Sequence, residues 1–389
     1  MDLQKRKELV TQAFRDVYGQ EPEIWARAPG RVDLMGSHTD YNLGYVMTMT
    51  IDRDTWVAAR PRADRRVRIA SLNLESPGVE FSLDALERSE QAHWSDYVRG
   101  VAWALQAAGY PLAGFDGLVH STVPFGSGLS SSAALEMAVG VVFQAAGGFS
   151  VPALELAQLG QKAENQFVGM NCGILDQYSS ALGQAGSAVL LDCRSLTHTV
   201  APIAAGLQVV ICDTRAPRNL VGTEYGDRRL QCETGAAILH ELYPQVTALR
   251  DVSLAMLETQ CDALPDGVCQ RCLFIVEENQ RVLDLAEALP AGDEPRLGEL
   301  FAASYRGATD LYEIGAPAMD AMMQAMLGGP GVVAARQAGA GFGGCMVALV
   351  RAEAAEAFAR HVEADYQRRT GIQPSVYPVQ ASAGAGLVA

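Results

Sequence analysis

The sequence predicts an α+β protein of two domains with a cleft between them. Strand-like runs alternate with helical patterns over roughly the first 215 residues, and the chain is then mostly helical until it returns to strands near its end. At 389 residues it is too long for one compact core. The segment 197–206 carries Pro202 and small residues, so we place the boundary there, with predicted domains of residues 1–200 and 201–389.

The spacing of apolar residues predicts the individual elements. Val10, Phe14 and Val17 lie at helical spacing and predict an amphipathic first helix. The predicted strands are Tyr45–Thr50, Thr55–Ala59, Val67–Ser71, Gly117–Val123, Ala188–Asp192, Leu207–Asp213, Val332–Arg336, Cys345–Val350 and Ser375–Val379. The other predicted helices are Asp96–Ala108, Ser132–Ala146, Pro152–Val168, a mostly helical stretch from Thr223 to Phe301 and on to Leu327, and Ala352–Tyr366.

Composition excludes several classes of protein. Hydrophobic residues make up 49% of the chain and charged residues 19%, which is typical of a globular protein. The net charge of −15 argues against nucleic acid as a partner, because clustered Lys and Arg hold phosphate backbones, but backbone N–H groups can still bind a nucleotide. No run reaches the roughly 20 apolar residues of a membrane span, and the N-terminus has no signal-peptide core. We therefore expect a cytoplasmic protein without a membrane partner, and we infer no obligate protein partner.

The eight cysteines lie mostly in apolar strand-like or helical surroundings, where a reduced cysteine behaves as a small hydrophobe. Cys269 and Cys272 form the only CxxC motif. A zinc site would need a second pair of ligands, and the nearest candidates are Cys261 and the distant His240. We expect free thiols embedded in a helix rather than a metal site.

The strongest local motif is the glycine- and serine-rich segment 124–134, PFGSGLSSSAA. A strand is predicted to end at Val123, a glycine turn follows, and three serines open a helix. Glycine lets the backbone approach a ligand, and free N–H groups at a helix N-terminus bind phosphate. The serine hydroxyls could cap the helix or reach a phosphate-bound Mg²⁺. Without a lysine it is not a Walker A loop, and an ordinary capped strand–turn–helix connection is the alternative.

A second polar segment, 28–42, lies in an otherwise apolar part of the chain. His38, Asp40 and Asn42 alternate, so on an extended segment they would line one side and offer the convergent polar groups that a sugar needs. Alternatively, Asp40 and Asn42 shape a turn before Gly44.

Two further segments carry weaker signals. The glycine cluster 337–345 between two predicted strands could form a backbone nest near a phosphate or merely a flexible hairpin. In segment 163–177, Glu164 lies late on a helix and Asp176 follows a loop. These two carboxylates could divide metal binding and proton acceptance between them, or they could be a surface Glu and an N-cap Asp.

Taken together, in this order and spacing, the four segments resemble the galactokinase branch of the GHMP kinases. Three short signatures carry the resemblance: APGRVDLMGSHTDYN from residue 28, VPFGSGLSSSAALE from residue 123 and AGAGFGGCMVALV from residue 338. Segments 94–100, 172–177 and 222–232 add galactokinase-like detail. The resemblance implies a GHMP kinase fold, with an N-terminal ribosomal-protein-S5-like α/β domain that binds sugar and ATP and a C-terminal ferredoxin-like domain.

The activity implied by this resemblance is ATP-dependent phosphorylation of a galacto-configured sugar at C1, with galactose as the first choice and Mg²⁺ as the metal. Asp176 is implied to be the catalytic base, although a purely electrostatic role is the alternative, and Arg31 its partner, which would favour the ionised carboxylate. Ser132 and Glu164 would hold Mg²⁺. The residues implied to bind ATP are Ser71, Trp94, Gly126, Ser127, Gly128, Leu129, Ser130, Ser131 and Ser132. Those implied to face the sugar are Ser37, His38, Thr39, Asp40, Gly173 and Tyr225.

The sequence departs from the family pattern at four positions. Ser37 replaces the usual Glu, which is expected to bind the 6-hydroxyl of galactose, and Asp33 replaces an Asn and could compete for Arg31. Ala338 and Ala340 replace Thr and Gly, and a methyl at position 340 is tolerable if φ is negative there.

These departures leave two alternatives open: a kinase for a C6-altered sugar such as L-arabinose or galacturonate, and a non-catalytic galactose and ATP sensor. Such sensors lack the Ser-Ala pair that is intact here at positions 132 and 133.

Overall fold

The computed structural model describes residues 3–75, 78–216 and 223–388. Gly222, the first residue of one galactokinase-like segment, lies outside the described residues. The strands are β1 Ile24–Met35, β2 Tyr45–Pro61, β3 Arg66–Ser71, β4 Val79–Ser82, β5 Phe115–Ser121, β6 Ser187–Asp192, β7 Thr197–Pro202, β8 Leu207–Asp213, β9 Val332–Gln337, β10 Cys345–Arg351, β11 Ser375–Val379 and β12 Gly386–Leu387.

Helices cover much of the remaining described chain. The α-helices are α1 Leu3–Tyr18, α2 Ser95–Ala107, α3 Ser131–Gly147, α4 Ala153–Lys162, α5 Leu175–Leu182, α6 Thr223–Leu242, α7 Leu254–Gln260, α8 Val268–Ala291, α9 Glu294–Arg306, α10 Pro317–Leu327 and α11 Ala355–Thr370. Two π-helical turns, Ala163–Val168 and Gly307–Leu311, extend α4 and α9. Within the described ranges we find no helix whose length and apolar character would let it cross a bilayer.

Two sheets organise these elements. The first has eight strands. Six of them follow the order β12-β1-β2-β5-β3-β4, while β6 pairs with the beginning of β2 and β7 pairs with β6. Only β3 and β5 in it are parallel. The second sheet has the antiparallel order β11-β8-β10-β9. Because β2 is 17 residues long, its beginning pairs with β6 and its end with β5, which lets one strand support both ends of the first sheet.

The strands of the second sheet are apolar on both faces because each face is covered. In β8, Val209 and Ile211 pack into a core shared with β1, β2 and α8, whereas Val210 and Cys212 pack against α10 and α11. This alternation follows from the two-residue period of a strand, and it explains why the run reads as continuously hydrophobic. The shared core joins the two sheets, so the cleft between them has a rigid floor.

Most predicted elements are confirmed within a few residues. Leu207–Asp213 and Ser375–Val379 form β8 and β11 with the predicted bounds. The predicted strands 45–50 and 55–59 are one strand, β2, whose pairing with β1 is interrupted between Thr50 and Asp54 by a register shift and then resumes. In α1, Val10 and Phe14 are buried as expected, but Val17 is exposed.

Two segments were not recognised as strands from the sequence. Residues 24–35, part of which we interpreted as a polar segment, form β1, and register shifts at Pro29/Arg31 and Asp33/Met35 accommodate its proline and charges. The boundary segment 197–206 begins with a strand, because its first six residues form β7, paired with β6. The mostly helical character predicted for 223–301 is confirmed, and it is divided among four α-helices. The division of the chain near residue 200 stays a prediction.

The end of the described chain returns to the first sheet. In this segment β12 pairs with β1, and the Val388 amide donates to the Trp25 carbonyl. The amides of Gly384 and Ala385 donate to the carbonyls of Gly183 and Ser180 at the end of α5. Residues assigned by sequence to the second domain therefore complete the first sheet.

The cysteine expectation needs one correction. Cys269 and Cys272 do lie on a helix, α8, but Cys269 forms a disulfide with Cys261. Cys272 remains a buried free thiol. The partner of Cys269 was hidden because Cys261 lies in a separate short 3₁₀ turn, Cys261–Ala263, whose proximity no spacing rule predicts.

One fully buried guanidinium connects the second sheet to the N-terminal segment. Arg336 of β9 donates to the Leu34 carbonyl at 2.9 Å, to Ser37 Oγ at 3.1 Å and to Glu278 Oε1 at 3.2 Å. Asp33 Oδ1 lies 3.9 Å from the Arg336 Nη1 atom. Burial acts to raise the pKa of Glu278, but the charges of Arg336 and Arg281 prevail and the pKa is lowered.

We predict that Arg336→Met destabilises the protein by about 3–5 kcal/mol, because it removes the cation beside Asp33 and one of the two cations that offset the buried Glu278 carboxylate. The free energy of unfolding in urea measures this loss. The matched control is Arg351→Met, which removes a solvent-exposed ion pair with Glu294 and should leave the free energy of unfolding close to that of the wild type. Equal unfolding free energies for the two variants would contradict the prediction.

Candidate active site

The glycine- and serine-rich loop leads directly into the N-terminus of α3. Gly126 and Gly128 have φ of 68° and 86°, and Ser130 is also left-handed with φ of 59°. Ser130 precedes the helix without a side-chain capping bond, and the Ser127 hydroxyl instead donates to the Pro124 carbonyl. The first N–H groups of this 17-residue helix are thus free of a serine cap, which suits them to bind an anion.

Arg31 connects this loop to the predicted base. Its Nη1 donates to the Gly128 carbonyl at 2.7 Å, and its Nη2 forms an ion pair with Asp176. The Arg31 amide also donates to the Leu129 carbonyl at 3.1 Å. This approach requires glycine at position 30, since a Cβ there would lie 2.7 Å from the Leu129 carbonyl oxygen. Sequence prediction paired Arg31 with Asp176, and the two do lie together.

Glu164 and Ser132 are also brought together. The Ser132 side chain lies near enough to the Glu164 carboxylate to act on its pKa. Burial, followed by the charge of Asp176, raises the pKa of Glu164 to about 7, and the bonds from neighbouring side chains offset only part of this rise. A carboxylate and a hydroxyl at the N-terminal end of α3 are the hard oxygen donors that Mg²⁺ prefers, so the residues fit this ion.

A second buried carboxylate lies behind Glu164. Glu136 on α3 is fully buried, and burial, followed by the charge of Glu164, raises its pKa well above the usual range. Gln177, the residue after Asp176, donates from Nε2 to both carboxylates. Neither Glu136 nor Gln177 was identified from the sequence. For Glu136, the signal available in the sequence was a charged residue inside an otherwise apolar helical run.

The polar segment before β2 is a turn, and the expectation that His38, Asp40 and Asn42 line an extended strand was wrong. His38 has φ of 68°, and Asp40–Asn42 form a 3₁₀ turn. Thr39 is fully buried, and its hydroxyl bonds within the turn to the carbonyls of Gly36 and Tyr45. The alternative expectation, that Asp40 and Asn42 shape a turn before Gly44, was therefore the correct one.

Ser37 points into the protein interior. Its side chain is almost fully buried, its hydroxyl donates to Asp33 Oδ2 at 2.6 Å, and it accepts a bond from Arg336 at 3.1 Å. Burial raises the pKa of Asp33, and the charge of Arg336 counteracts this. Asp33 hydrogen-bonds to Ser37, whereas Arg31 pairs with Asp176. The two departures from the family pattern thus contact one another.

Hydrogen bonds fix the tautomer of His38. Burial lowers the pKa of His38 to about 4, so the ring is neutral near pH 7. Its Nε2 lies 3.0 Å from the Ala340 carbonyl, which only accepts, so Nε2 carries the proton. Nδ1 must then accept from the Tyr41 hydroxyl at 2.8 Å. The Tyr41 oxygen in turn accepts from Tyr312, and Tyr312 from the Cys232 thiol.

Because both His38 nitrogens are engaged, the ring would have to give up one of these bonds to bond a sugar. The bond to Ala340 also joins the turn that carries His38 to the glycine cluster 337–345. Ala340 is not among the residues with positive φ, so its methyl group is tolerated as the sequence suggested. A Cβ on Gly339 would lie 3.8 Å from the Gly128 carbonyl, so the two glycine loops adjoin.

Asp40 and Gly173 lie directly against one another. A Cβ on Gly173 would lie 1.7 Å from Asp40 Oδ2, so only glycine fits beside this carboxylate. Burial, opposed by the Tyr41 amide and reinforced by Asp176, raises the pKa of Asp40 to about 6. The ring of Tyr225 lies 5.3 Å from that of His38. The structure thus brings Asp40, Gly173 and Tyr225 into one region.

The residues expected near the adenosine lie farther from these contacts. Ser71 ends β3 and pairs with Val119 on β5, the strand that leads towards the glycine-rich loop. Its hydroxyl accepts from the Asn73 amide at 3.2 Å. Trp94 immediately precedes α2 and packs against the core beneath the first sheet, with its Nε1 buried and without a hydrogen-bond partner among the described residues.

Comparison with known families matches three parts of the chain. The galactokinase galactose-binding signature matches residues 12–61, which include β1 and the His38 turn. The GHMP kinases N terminal domain matches residues 96–184, and the GHMP kinases C terminal domain matches residues 285–368.

Full-length relatives decide the assignment. The chain is 44% identical to a galactokinase of Chloroflexus aggregans over 375 residues, which cover 96% of this chain and 95% of the relative. It is 43% identical to a galactokinase of Roseiflexus over the same shares of each chain. The chain belongs to the galactokinase family.

Solved structures support the same assignment. Lactococcus lactis galactokinase complexed with galactose superposes with a TM-score of 0.94 at 35% identity, covering 98% of this chain and 99% of that one. A mevalonate kinase, at 15% identity and a TM-score of 0.63, covers 92% of this chain and shares the fold alone. The fold is therefore the GHMP kinase fold that the resemblance implied.

We predict that His38 makes stability depend on pH. Its folded pKa of about 4 lies below the unfolded value of about 6.5, so the unfolded chain takes up a proton first as the pH falls. The contribution of His38 to the free energy of unfolding is fully present above pH 6.5. It falls by about 2 kcal/mol between pH 7.5 and pH 5.0. Urea unfolding at both pH values should show a smaller loss in His38→Gln than in the wild type.

The control for this measurement is His93→Gln, because the His93 side chain is 80% exposed. This variant should lose as much stability between the two pH values as the wild type does. If His38→Gln also retains the full wild-type loss, another group is responsible.

Proposed function

We propose that this protein transfers the γ-phosphoryl group of ATP to the C1 hydroxyl of a galacto-configured sugar, with galactose as the main substrate. The observation that carries the proposal is the position of Arg31. One guanidinium contacts both the Asp176 carboxylate and the carbonyl of Gly128 in the glycine-rich loop. A proton acceptor and a phosphate-binding loop are thereby held on either side of one cation, as phosphoryl transfer to a hydroxyl requires.

Asp176 acts as the base in this proposal. A sugar hydroxyl is a weak nucleophile, and a carboxylate within hydrogen-bonding reach takes its proton as the bond to phosphorus forms. Asp176 is suited to this role because its side chain is 29% exposed, whereas that of Arg31 is 8% exposed. The carboxylate can meet a substrate while the buried guanidinium holds it in place. Arg31 also lies where it can stabilise negative charge on the transferring group.

The phosphate groups would lie at the N-terminus of α3, where uncapped backbone N–H groups and the helix dipole favour negative charge. Glu164 and Ser132 would hold Mg²⁺ beside them. Mg²⁺ held there would supply positive charge that neutralises the phosphate groups. The sugar would occupy the region between Asp176, Asp40 and the His38 turn, with the Gly173 backbone beside Asp40.

The sugar assignment depends on Asp33 and Ser37. If the carboxylate usual at position 37 binds the 6-hydroxyl, its replacement by a buried serine removes a direct contact at C6 or replaces it by water. Asp40, Tyr225 and His38 retain the pattern for a galacto-configured sugar. We therefore propose that galactose is preferred but that discrimination at C6 is relaxed. L-Arabinose, which lacks the C6 group, and galacturonate, which carries a carboxylate there, are the second candidates.

We predict that Asp176→Asn lowers turnover about 100-fold or more while ATP binding is largely retained, because the amide preserves shape but cannot accept the proton. Release of ADP in the presence of galactose measures turnover, and equilibrium titration measures ATP binding. The control is Asp84→Asn, whose carboxylate is exposed and paired with Arg65, and which should turn over normally. Near-normal turnover of a folded Asp176→Asn protein would remove Asp176 from the mechanism.

We also predict that restoring the family residues at both positions sharpens C6 selectivity. Ser37→Glu alone would place a second carboxylate against Asp33, so the informative variant is the double Asp33→Asn/Ser37→Glu. Its ratio of kcat/KM for galactose over L-arabinose should rise about 5- to 150-fold, as expected for one regained hydrogen bond.

Galacturonate and fucose complete the panel of sugars, and Asp33→Asn alone is the control for the lost carboxylate. An unchanged ratio in the folded double variant would show that position 37 does not read C6. Activity only on a sugar of different C4 configuration would contradict the galacto assignment itself.

A further inference from the structure

Gln177 lies at the centre of a buried polar cluster of which the mechanism above uses only Glu164. It follows Asp176 on α5, and its side chain is fully buried. Its amide nitrogen Nε2 donates to Glu136 Oε2 at 2.9 Å and to Glu164 Oε2 at 2.5 Å. Glu136 belongs to α3 and Glu164 to the π-helical turn that follows α4. One amide group therefore links three separate elements.

The amide donates both of its N–H groups to carboxylates, which is the full donor capacity of a glutamine. Two buried carboxylates repel one another unless donors lie between them, so Gln177 is the group that allows them to be neighbours. Replacing it by an apolar residue would leave both without this donor. Glu164 would then lose the shared partner that ties it to Glu136.

The bonds also select one oxygen of Glu164. Gln177 Nε2 and the Cys172 thiol both donate to Oε2. Oε1 receives neither bond, so it remains, with the Ser132 hydroxyl, for a cation. A carboxylate whose second oxygen is held by a fixed donor keeps its orientation, and residues that hold metal ligands in this way commonly contribute 10- to 100-fold to metal affinity.

We propose that Gln177 is a positioning residue that orients Glu164 for Mg²⁺, and that Glu136 anchors Gln177 from behind. The proposal rests on the proposed metal-binding role of Glu164 and adds to it. Because Gln177 directly follows Asp176, the same short helix then carries the base and the group that orients the metal ligand. A shift of α5 would disturb both together.

Binding of Mn²⁺, a paramagnetic substitute for Mg²⁺, tests the proposal without turnover. Electron paramagnetic resonance measures Mn²⁺ binding to the protein with a non-hydrolysable ATP analogue. We expect Gln177→Met, which has a similar volume but no donors, to weaken Mn²⁺ binding about 10- to 100-fold. The Mg²⁺ concentration for half-maximal activity should rise in parallel, while KM for galactose changes little.

Two comparison variants separate the outcomes. Glu164→Ala should abolish tight Mn²⁺ binding, and if it does not, the metal assignment itself fails. If Glu164→Ala weakens binding and folded Gln177→Met does not, Gln177 is merely structural and the positioning role is wrong. Gln144→Met is the control for the substitution, because Gln144 bonds only to backbone groups of α3 and of Val151.

A pair of changes at Glu136 carries the test if Gln177→Met does not fold. Glu136→Gln retains an oxygen acceptor for the Gln177 amide and should bind Mn²⁺ nearly as the wild type does. Glu136→Met removes the acceptor and should weaken Mn²⁺ binding several-fold. Equal Mn²⁺ affinity in the two Glu136 variants would overturn the anchoring role.

Discussion

The architecture depends on the burial of one positive charge. The Arg336 guanidinium is fully removed from solvent, and the cost of that desolvation is offset only where its partners converge. Those partners come from β1, from the turn after it and from α8, whereas Arg336 itself belongs to the second sheet. The two sheets and α8 must therefore dock together before Arg336 has all of its hydrogen-bond partners. The turn that carries His38 and Asp40 is thereby held against the second sheet, and this fixes one wall of the cleft.

A second cation organises the opposite side of the cleft. Arg31 contacts the glycine-rich loop and Asp176, which lie 97 and 145 residues away along the chain. Asp176 in turn lies close enough to Glu164, Glu136 and Asp40 for its charge to act on each of them, and burial raises the pKa values of these three carboxyl groups. Such a concentration of partly or fully buried acids in one region destabilises the free protein. Groups with perturbed pKa values cluster at functional sites, so this concentration of acids favours the same region as the active site.

Sequence reasoning succeeded where one physical cause acted locally. Leu207–Asp213 was predicted with its bounds because an apolar run ends at polar residues, and the loop before α3 was identified because glycine and serine have few other uses in that arrangement. It failed at β1, since Pro29, Gly30 and Arg31 are unusual in a strand and only the bulges accommodate them. The role of Gln177 could not be predicted, because a glutamine in a helix acquires meaning only from the carboxylates that tertiary folding places beside it.

The return of the chain end to the first sheet has a consequence for folding during synthesis. The ribosome releases β1 early, but its edge partner β12 comes from residues 386–387, more than 350 positions later. Until those residues emerge, β1 presents unpaired N–H and C=O groups, and the end of α5 lacks the bonds from Gly384 and Ala385. The first sheet therefore cannot be completed as an independent N-terminal unit while translation proceeds. Nascent chains that stall late expose this open edge, and such edges promote aggregation.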